Sequence, residues 1–146
     1  MNEPVYDVNY LPAENIYYFE SVGRKGKITK VVAFTEKEDN IYNLGFGDFN
    51  PLTGQVDDKA KSENGDMVKV LSTILHITAQ FLTANPMVYV FFKGSTPDRT
   101  RLYQMAINHY QESFSDIFEI FGLIDKKPEP FQKNKFYESF LIRKLF

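Results

Sequence analysis

The most informative segment for the architecture runs from Val88 to Phe114 and reads VYVFFKGSTPDRTRLYQMAINHYQESF. Its first part belongs to a nearly all-apolar run, Met87–Phe92, which is typical of a central strand buried on both faces. Thr96 then predicts a helix cap, and Pro97 occupies the favoured first helical position. The sequence therefore predicts a buried strand, a sharp turn and a capped helix.

Three strands are expected before this stretch, over Ile16–Val22, Lys27–Glu36 and Ile41–Phe49, from their aromatic and β-branched content. The first two are joined by Gly23-Arg24-Lys25-Gly26, in which two glycines frame two polar residues. That chemistry is typical of a tight β-hairpin.

A long polar loop is predicted over residues 51–64, and a helix over Gly65–Ala84, with Asn64 as its N-cap. In this helix, apolar residues recur at steps of three and four, as expected for one buried face. After the second helix we expect a strand over Ile117–Ile124, a rigid connector over Lys126–Pro130 and a last strand over Phe136–Lys144.

The resulting order is βββ-α-β-α-ββ, which predicts an α+β fold with a single mixed, mostly antiparallel sheet and two main helices. The 146 residues fit one domain, 1–146, in which residues 1–14 form an N-terminal arm. With 43% apolar residues, including 14 Phe, the chain can bury a substantial and largely aromatic core.

Composition excludes several classes of protein. The chain has no cysteine, so disulfides, thiolate metal ligands and a cysteine nucleophile are excluded. His76 and His109 lie on different predicted helices, and no metal site is expected. The net charge of -2 argues against a generic nucleic-acid binder. The start of the chain lacks signal-peptide features and no apolar run approaches ~18 residues, so we expect a soluble, cytoplasmic protein without membrane contact.

The order of elements resembles the core of the GCN5-related N-acetyltransferase fold, read from its second strand onward. In that fold a three-strand meander leads into a helix whose N-terminus cradles the pyrophosphate of acetyl-CoA. Asn64-Gly65-Asp66 stands at the corresponding helix start here, and Arg101-Leu102-Tyr103 matches the Leu-Tyr pair of the family's next helix. The resemblance covers roughly Ile16 to Lys144. No cofactor is expected from the residues themselves, and CoA is the alternative that the resemblance implies. The family's Gln/Arg-x-x-Gly-x-Gly/Ala loop is replaced by a single glycine followed by Asp66, which would repel a pyrophosphate.

A second resemblance is closer in sequence. The segments NGDMVKVLSTILHITAQFL and FFKGSTPDRTRLYQMAINHY are similar to those of an uncharacterised bacterial domain family, found largely in Bacteroidota, and phage proteins share the outline. This resemblance implies a shared core of two helices and the strand between them, and it implies no activity.

Lys93, Thr96, Arg99 and Arg101 form the strongest candidate site. A helix N-terminus offers unpaired N–H groups, and guanidinium groups bind phosphate or carboxylate in a forked geometry, so the cluster predicts a small-anion site. The alternative is a well-capped helix whose arginines pair with acidic neighbours. Asn64 and Gly65, at the start of the other helix, are further candidate ligand-binding residues.

Tyr103 matches the tyrosine that often serves as general acid in acetyltransferases, so the resemblance makes it the candidate catalytic residue. The alternative is a core tyrosine with its hydroxyl at the edge. A base would also be needed, and Glu20, Glu36 and Asp48 are candidates among which the spacing does not select.

A basic hairpin tip is the second electrostatic feature of the sequence, and it comprises Arg24, Lys25, Lys27 and Lys30. An open sheet face with aromatics and a basic rim binds single-stranded nucleic acid by stacking, although lysines also guard edge strands. Three functions therefore stay open: a non-catalytic binding or interaction module on an acetyltransferase-like sheet, an acyl-CoA-dependent acyltransferase, and a single-stranded nucleic-acid-binding regulator. The partner is a small anionic ligand or a protein, and a homodimer is compatible with the sequence.

Overall fold

The computed structural model describes residues 5–57, 64–114 and 116–145, without the side chains of residues 113 and 114. In these ranges the chain forms nine strands, two α-helices and one short 3₁₀ helix, Pro12–Glu14. In chain order the elements are β1 Asn9–Leu11, β2 Ile16–Gly23, β3 Gly26–Glu38, β4 Ile41–Asn50, β5 Gln55–Asp57, α1 Met67–Ala84, β6 Tyr89–Phe92, α2 Pro97–Phe114, β7 Phe118–Ile124, β8 Lys127–Pro130 and β9 Ser139–Lys144.

All nine strands belong to one sheet, in the order β1-β2-β3-β4-β6-β9-β7-β8, with β5 paired to β4 outside that path. The β4–β6 pair is parallel and the other pairs are antiparallel. Helix α1 forms the crossover between the parallel strands, as a parallel connection requires. The predicted α+β class, with a single mixed, mostly antiparallel sheet and two helices, is confirmed.

Both helices pack on the same face of the sheet, which we call the covered face. Ile77 and Phe81 of α1 and Ile107 of α2 share one buried cluster with Val32 of β3 and Phe140 of β9. The helices also contact each other, because the hydroxyls of Ser72 and Tyr110 are hydrogen-bonded. The core is largely aromatic, as the composition predicts: the rings of Phe34 and Phe81 stack with centroids 4.1 Å apart.

The other face of the sheet, which we call the open face, carries no helix in the described ranges. Strand alternation places Tyr89 and Phe91 of β6 there, half-buried, while Val90 and Phe92 point into the core. The prediction that Met87–Phe92 is buried on both faces is therefore wrong. β6 is central in the sheet, but only one of its faces has helices packed on it.

Two further local predictions are corrected. The helix start places Asp66, not Asn64, at the N-cap of α1. The predicted connector Lys126–Pro130 contains strand β8, paired antiparallel with β7. The turn before it is made possible by Asp125 and Lys126, which both have positive φ. Prolines at 128 and 130 are tolerated because β8 is an edge strand, where a missing N–H breaks no ladder.

β4 and β6 pair over only three residues, from Ile41↔Tyr89 to Asn43↔Phe91. Farther along, β4 pairs with β5 through Asp48 to Asn50. Between these two ladders the edge of β4 that faces β6 has no strand partner in the described part of the chain. The sheet is therefore split near the C-terminal end of β6, where α2 begins.

By length and composition, α1 is the one helix within the described ranges that meets the requirements of a membrane span. The core helix of a soluble domain passes the same test, and Ile77, Phe81 and Leu82 are at most 1% exposed within this domain.

Candidate functional site: a cavity between the two helix starts

A cavity of about 450 Å³ lies between the starts of α1 and α2 and the sheet. Its walls are mainly apolar, and its charged groups come from three elements. The lining residues are Lys30, Phe46, Asn64, Gly65, Asp66, Met67, Val70, Leu71, Asp98, Arg99, Arg101, Leu102 and Tyr103. This volume falls within the range of about 300–1,000 Å³ that is typical of small-molecule sites.

A second opening of about 120 Å³ lies in the split between β4 and β6. Asn43 and Gly45 line it from the open-face positions of β4, and Lys93 and Ser95 line it from the segment after β6. Phe46, Arg99 and Tyr103 line both this opening and the main cavity. The two spaces are therefore neighbours that share one wall, at the place where the sheet is interrupted.

Thr96 caps α2 as predicted. Its hydroxyl accepts a hydrogen bond from the Arg99 amide at 3.3 Å, and its carbonyl accepts one from the Thr100 amide at 3.1 Å. The approach to the helix is close: a Cβ added to Gly94 would lie 2.2 Å from the Thr100 amide nitrogen. The start of α2, and with it the position of Arg99, is thus fixed by backbone contacts.

The three predicted cations of this cluster occupy different places. Arg99 is half-buried on the shared wall, whereas Arg101 is exposed and lines the main cavity only. Lys93 is exposed and lines the smaller opening. The structure therefore brings Arg99 and Arg101 together at one cavity, with Lys93 at the neighbouring one.

Asn64 lines the main cavity, but its side chain is used to hold the β2–β3 hairpin. The residue is only 3% exposed. Its Oδ1 accepts a hydrogen bond from the Lys25 amide, and its Nδ2 donates to the Gly26 carbonyl at 3.0 Å. Gly65 follows with a φ of 81°, a conformation that favours glycine. The geometry gives Asn64 a structural role in the hairpin.

The basic hairpin tip lies beside the start of α1. Arg24, Lys25 and Lys27 are all exposed, and the Arg24 Nε would lie 3.2 Å from a Cβ added to Gly65. Lys30, in contrast, is buried at 4% exposure and belongs to the covered face. The structure thus brings Arg24 toward the cavity and leaves Lys25 and Lys27 at the outer end of the sheet.

A carboxylate is held at the start of α1. Asp66 Oδ2 accepts hydrogen bonds from the hydroxyls of Tyr6 and Ser21. Burial and this bond to Asp66 raise the pKa of Tyr6. The N-terminus of α1, where a helix favours negative charge, is thus already beside a negative group of the chain itself.

One residue that lines the cavity, Lys30, belongs to a buried ion pair. Lys30 Nζ lies 2.6 Å from Asp48 Oδ1, and the two side chains are only 5% and 13% exposed. The Lys30 ammonium also lies 5.9 Å from the centre of the Phe46 ring. Asp48, one of the bases considered from the sequence, is therefore engaged by a lysine.

Tyr103 packs edge-on against Phe92, with ring centroids 5.5 Å apart. Burial raises its pKa to about 12, and the charge of Arg99 opposes this rise only in part. A tyrosine with so high a pKa keeps its proton through the physiological range. It suits a hydrogen-bond donor to a bound molecule better than a group that exchanges protons.

Sequence reasoning missed the apolar walls of the cavity, above all Met67, Val70 and Leu102, because these residues read as ordinary helix positions. It also placed Lys30 with the hairpin tip. A signal for Lys30 was present: in the alternation of β3 it shares its phase with Val32 and Phe34, which are buried.

A model of the Family of unknown function (DUF6934) matches residues 2–145. No curated protein and no solved structure matches the chain.

Proposed function

The chain belongs to the DUF6934 family, a family of unknown function, and we propose that it is a non-catalytic binding module. Its ligand is a small amphipathic anion, held in the cavity between the starts of α1 and α2. The observation that carries this proposal is the cavity itself, an apolar space of about 450 Å³ with two arginines among its lining residues.

The apolar walls support a ligand with a hydrocarbon part. Phe46 from the sheet, Met67 and Leu71 from α1 and Leu102 from α2 offer it contact on several sides. Met67 is 49% exposed although it is large and apolar, and burying it against a ligand is favourable by about 25 cal/mol per Å².

The cations support an anionic end. Arg99 lies in the first turn of α2, where the helix dipole already favours negative charge, and Arg101 follows at the start of the second turn. Asp98 lines the same cavity, so a ligand with one negative group suits the site better than one with several. A carboxylate, bound in the forked geometry that guanidinium groups offer, fits this requirement.

An acetyltransferase-like sheet is part of the proposal, supported by the parallel β4–β6 pair, its α1 crossover and the split beyond it. Two features favour binding without acyl transfer from CoA. Asp66 opposes a pyrophosphate at the start of α1, and Tyr103, with a pKa of about 12, is a weak general acid.

The test is ligand-induced stabilisation, followed by calorimetry, with sodium decanoate, inorganic phosphate and acetyl-CoA as probes. Decanoate at about 100 times its Kd adds about 2.7 kcal/mol of stability. In a domain of this size that raises Tm by roughly 5–10 °C. We expect the shift to vanish in Arg99→Gln/Arg101→Gln, and in Met67→Trp, which fills the cavity from an exposed position.

The control is Lys127→Gln/Lys133→Gln, which removes the same charge at exposed positions away from the cavity and keeps the shift. A decanoate shift that survives in the arginine double variant overturns the site, and no response to any probe overturns the function. Stabilisation by acetyl-CoA with release of free CoA establishes the acyltransferase instead.

A further inference from the structure

We propose that the ligand is an N-acyl amino acid, whose acyl chain fills the main cavity and whose amide and carboxylate, its head group, occupy the second opening. This inference rests on the proposed function, because it names the chemical class of the small amphipathic anion. It starts from two neighbouring spaces of unlike chemistry, which share the side chains of Phe46, Arg99 and Tyr103.

The two spaces adjoin where the sheet is interrupted. The ladder between β4 and β6 ends at the pair Asn43↔Phe91, and β4 meets its next partner, β5, at Asp48. In the described chain no strand ladder closes the stretch of β4 between these positions, so side chains separate the main cavity from the second opening. Arg99 and Tyr103, one turn apart on α2, line both spaces. An extended ligand that occupies both spaces therefore passes beside these two side chains.

The charged groups differ between the two spaces. Asp66 and Asp98 line the main cavity together with its cations. Among the described residues that line the second opening there is no carboxylate, whereas Lys93 and Arg99 are both present. The second opening is therefore the better place for an anionic group, because the group meets cations there and no acid of the chain.

Polar side chains at the second opening lack partners of their own. Within the described ranges, the Asn43 carboxamide, the Lys93 ammonium and the Tyr103 hydroxyl make no hydrogen bond or ion pair. Asn43 and Tyr103 are half-buried, and a tyrosine hydroxyl in such a place usually has a hydrogen-bond partner. A ligand that supplies these partners gains hydrogen bonds that the chain itself leaves unmade.

A secondary amide followed by a carboxylate matches these groups. The Asn43 carboxamide offers both a donor and an acceptor, as an amide C=O and N–H require, and the Tyr103 hydroxyl offers a further donor. Lys93 lines the second opening only, so a carboxylate that pairs with it lies past the wall that Arg99 and Tyr103 help to form. An N-acyl amino acid presents its groups in this order: acyl chain, amide, carboxylate.

The size of the second opening suits such a head group. Its volume is about 120 Å³. Liquid water takes about 30 Å³ per molecule, so the space admits roughly four groups of that size, more than a carboxylate alone would fill. Gly45 keeps the space open: a Cβ added there would have its nearest contact, the Ala33 carbonyl oxygen, at an ordinary 3.8 Å. A larger side chain at position 45 would therefore occupy the opening without meeting the backbone.

The first experiment measures Kd by isothermal titration calorimetry for N-decanoylglycine, tridecanoate and decanoate. Tridecanoate has the same chain length as N-decanoylglycine, with methylene groups in place of the amide. We expect N-decanoylglycine to bind at least about tenfold more tightly than tridecanoate, because only its amide forms hydrogen bonds in the second opening.

Three substitutions then locate the head group. Lys93→Gln removes the cation of the second opening, Asn43→Ala removes the partner of the amide, and Gly45→Val fills the space. Each should weaken N-decanoylglycine at least about fivefold and change decanoate by less than about twofold, because the carboxylate of decanoate stays beside Arg99 on the shared wall. Lys133→Gln, which removes an exposed charge outside both spaces, is the matched control and should change neither ligand.

A second measurement needs no variant. In a proton–nitrogen correlation spectrum of the full chain, we expect N-decanoylglycine to shift the backbone amide signals of Gly45 and Lys93, which line the second opening only. Decanoate should leave these two signals in place and shift those of Met67 and Leu102, which line the main cavity. The two ligands together thus map the head group and the acyl chain separately.

Decanoate binding without any advantage of N-decanoylglycine over tridecanoate overturns this inference and leaves the proposed function in place. An advantage that persists in both Lys93→Gln and Gly45→Val also overturns it, because the head group then lies outside the second opening. Failure of all three ligands to bind overturns the proposed function as well. Retained decanoate binding shows that a variant is folded, so a loss confined to N-decanoylglycine supports the assignment.

Discussion

The ammonium of Lys30 and the carboxylate of Asp48 form an ion pair of 2.6 Å that is almost closed to water, between the middle of β3 and the end of β4. Removing two charges from water costs several kcal/mol, which their attraction repays only while both are present. The pair therefore ties these strands together beneath the cavity, and its two members depend on each other.

Asp48→Asn is expected to lower the free energy of unfolding by about 3 kcal/mol, because it leaves the Lys30 charge buried without its carboxylate. The double variant Lys30→Met/Asp48→Asn should recover most of this loss. Urea unfolding of the four proteins of the cycle measures both effects. Equal losses in the single and double variants would show that the buried charge is not the cause.

Asn64→Ala is expected to destabilise the protein by about 2–3 kcal/mol, because it leaves the Lys25 amide and the Gly26 carbonyl without their partner. Hydrogen exchange should rise first at the hairpin tip. Lys25→Ala, which keeps the amide and removes only an exposed side chain, is the control. If decanoate binding falls in Asn64→Ala while stability stays constant, Asn64 acts as a ligand residue.

Gly94→Ala should destabilise the protein and displace the start of α2, because the added methyl group would meet the Thr100 amide nitrogen at 2.2 Å. Overpacking of this kind costs about 1–3 kcal/mol. Gly45→Ala is the control, since its nearest new contact, the Ala33 carbonyl, lies at an ordinary 3.8 Å. Thermal unfolding compares the two, and equal Tm values would contradict the close approach at Gly94.

Because of Tyr17, the free energy of unfolding is expected to fall as the pH rises above 10. Burial, and secondarily Tyr10, raises its pKa from 10.0 to about 12 in the folded protein. Between these values the folded state holds a proton that the unfolded state has lost, so stability is full below pH 10 and is lost as pH rises toward 12. Two pKa units correspond to about 2.7 kcal/mol, an order-of-magnitude figure.

Tyr17→Phe should therefore be less sensitive to alkali than the parent protein, with the difference in unfolding free energy growing between pH 10 and 12. Urea unfolding at several pH values, with tyrosinate absorbance as a second observable, measures this. Parallel pH profiles for the two proteins would contradict it.

Most elements of the fold can be predicted from local sequence patterns. The glycines of Gly23–Gly26, the Thr96-Pro97 cap and the apolar period of α1 each act within a few residues, and each predicted its element. The features that cannot be predicted in this way depend on residues that are distant in the sequence. Whether Phe91 is buried is decided by which face of the sheet receives the helices, and nothing near Phe91 encodes that.

The candidate site, too, is predictable from the sequence only where it depends on local patterns. Arg99 and Arg101 were predicted from their place at a capped helix start, a local property. The cavity they line was not, because it arises where α1, α2 and β4 meet. For Asn64, the local pattern was misleading. A polar residue just before a helix predicts capping and ligand binding, but the Asn64 side chain instead accepts a hydrogen bond from the Lys25 amide, 39 residues earlier in the chain.

The split in the sheet also determines how strongly its two halves are joined. The meander β1–β5 is joined to strands β6–β9 by a ladder of three residue pairs, Ile41↔Tyr89 to Asn43↔Phe91, while β3 and β4 share eight. Few backbone pairs therefore join the two halves of the sheet directly, and the common core beneath α1 and α2 supplies the rest of their connection. The side chains of Arg99 and Tyr103 line the gap where that direct pairing is missing.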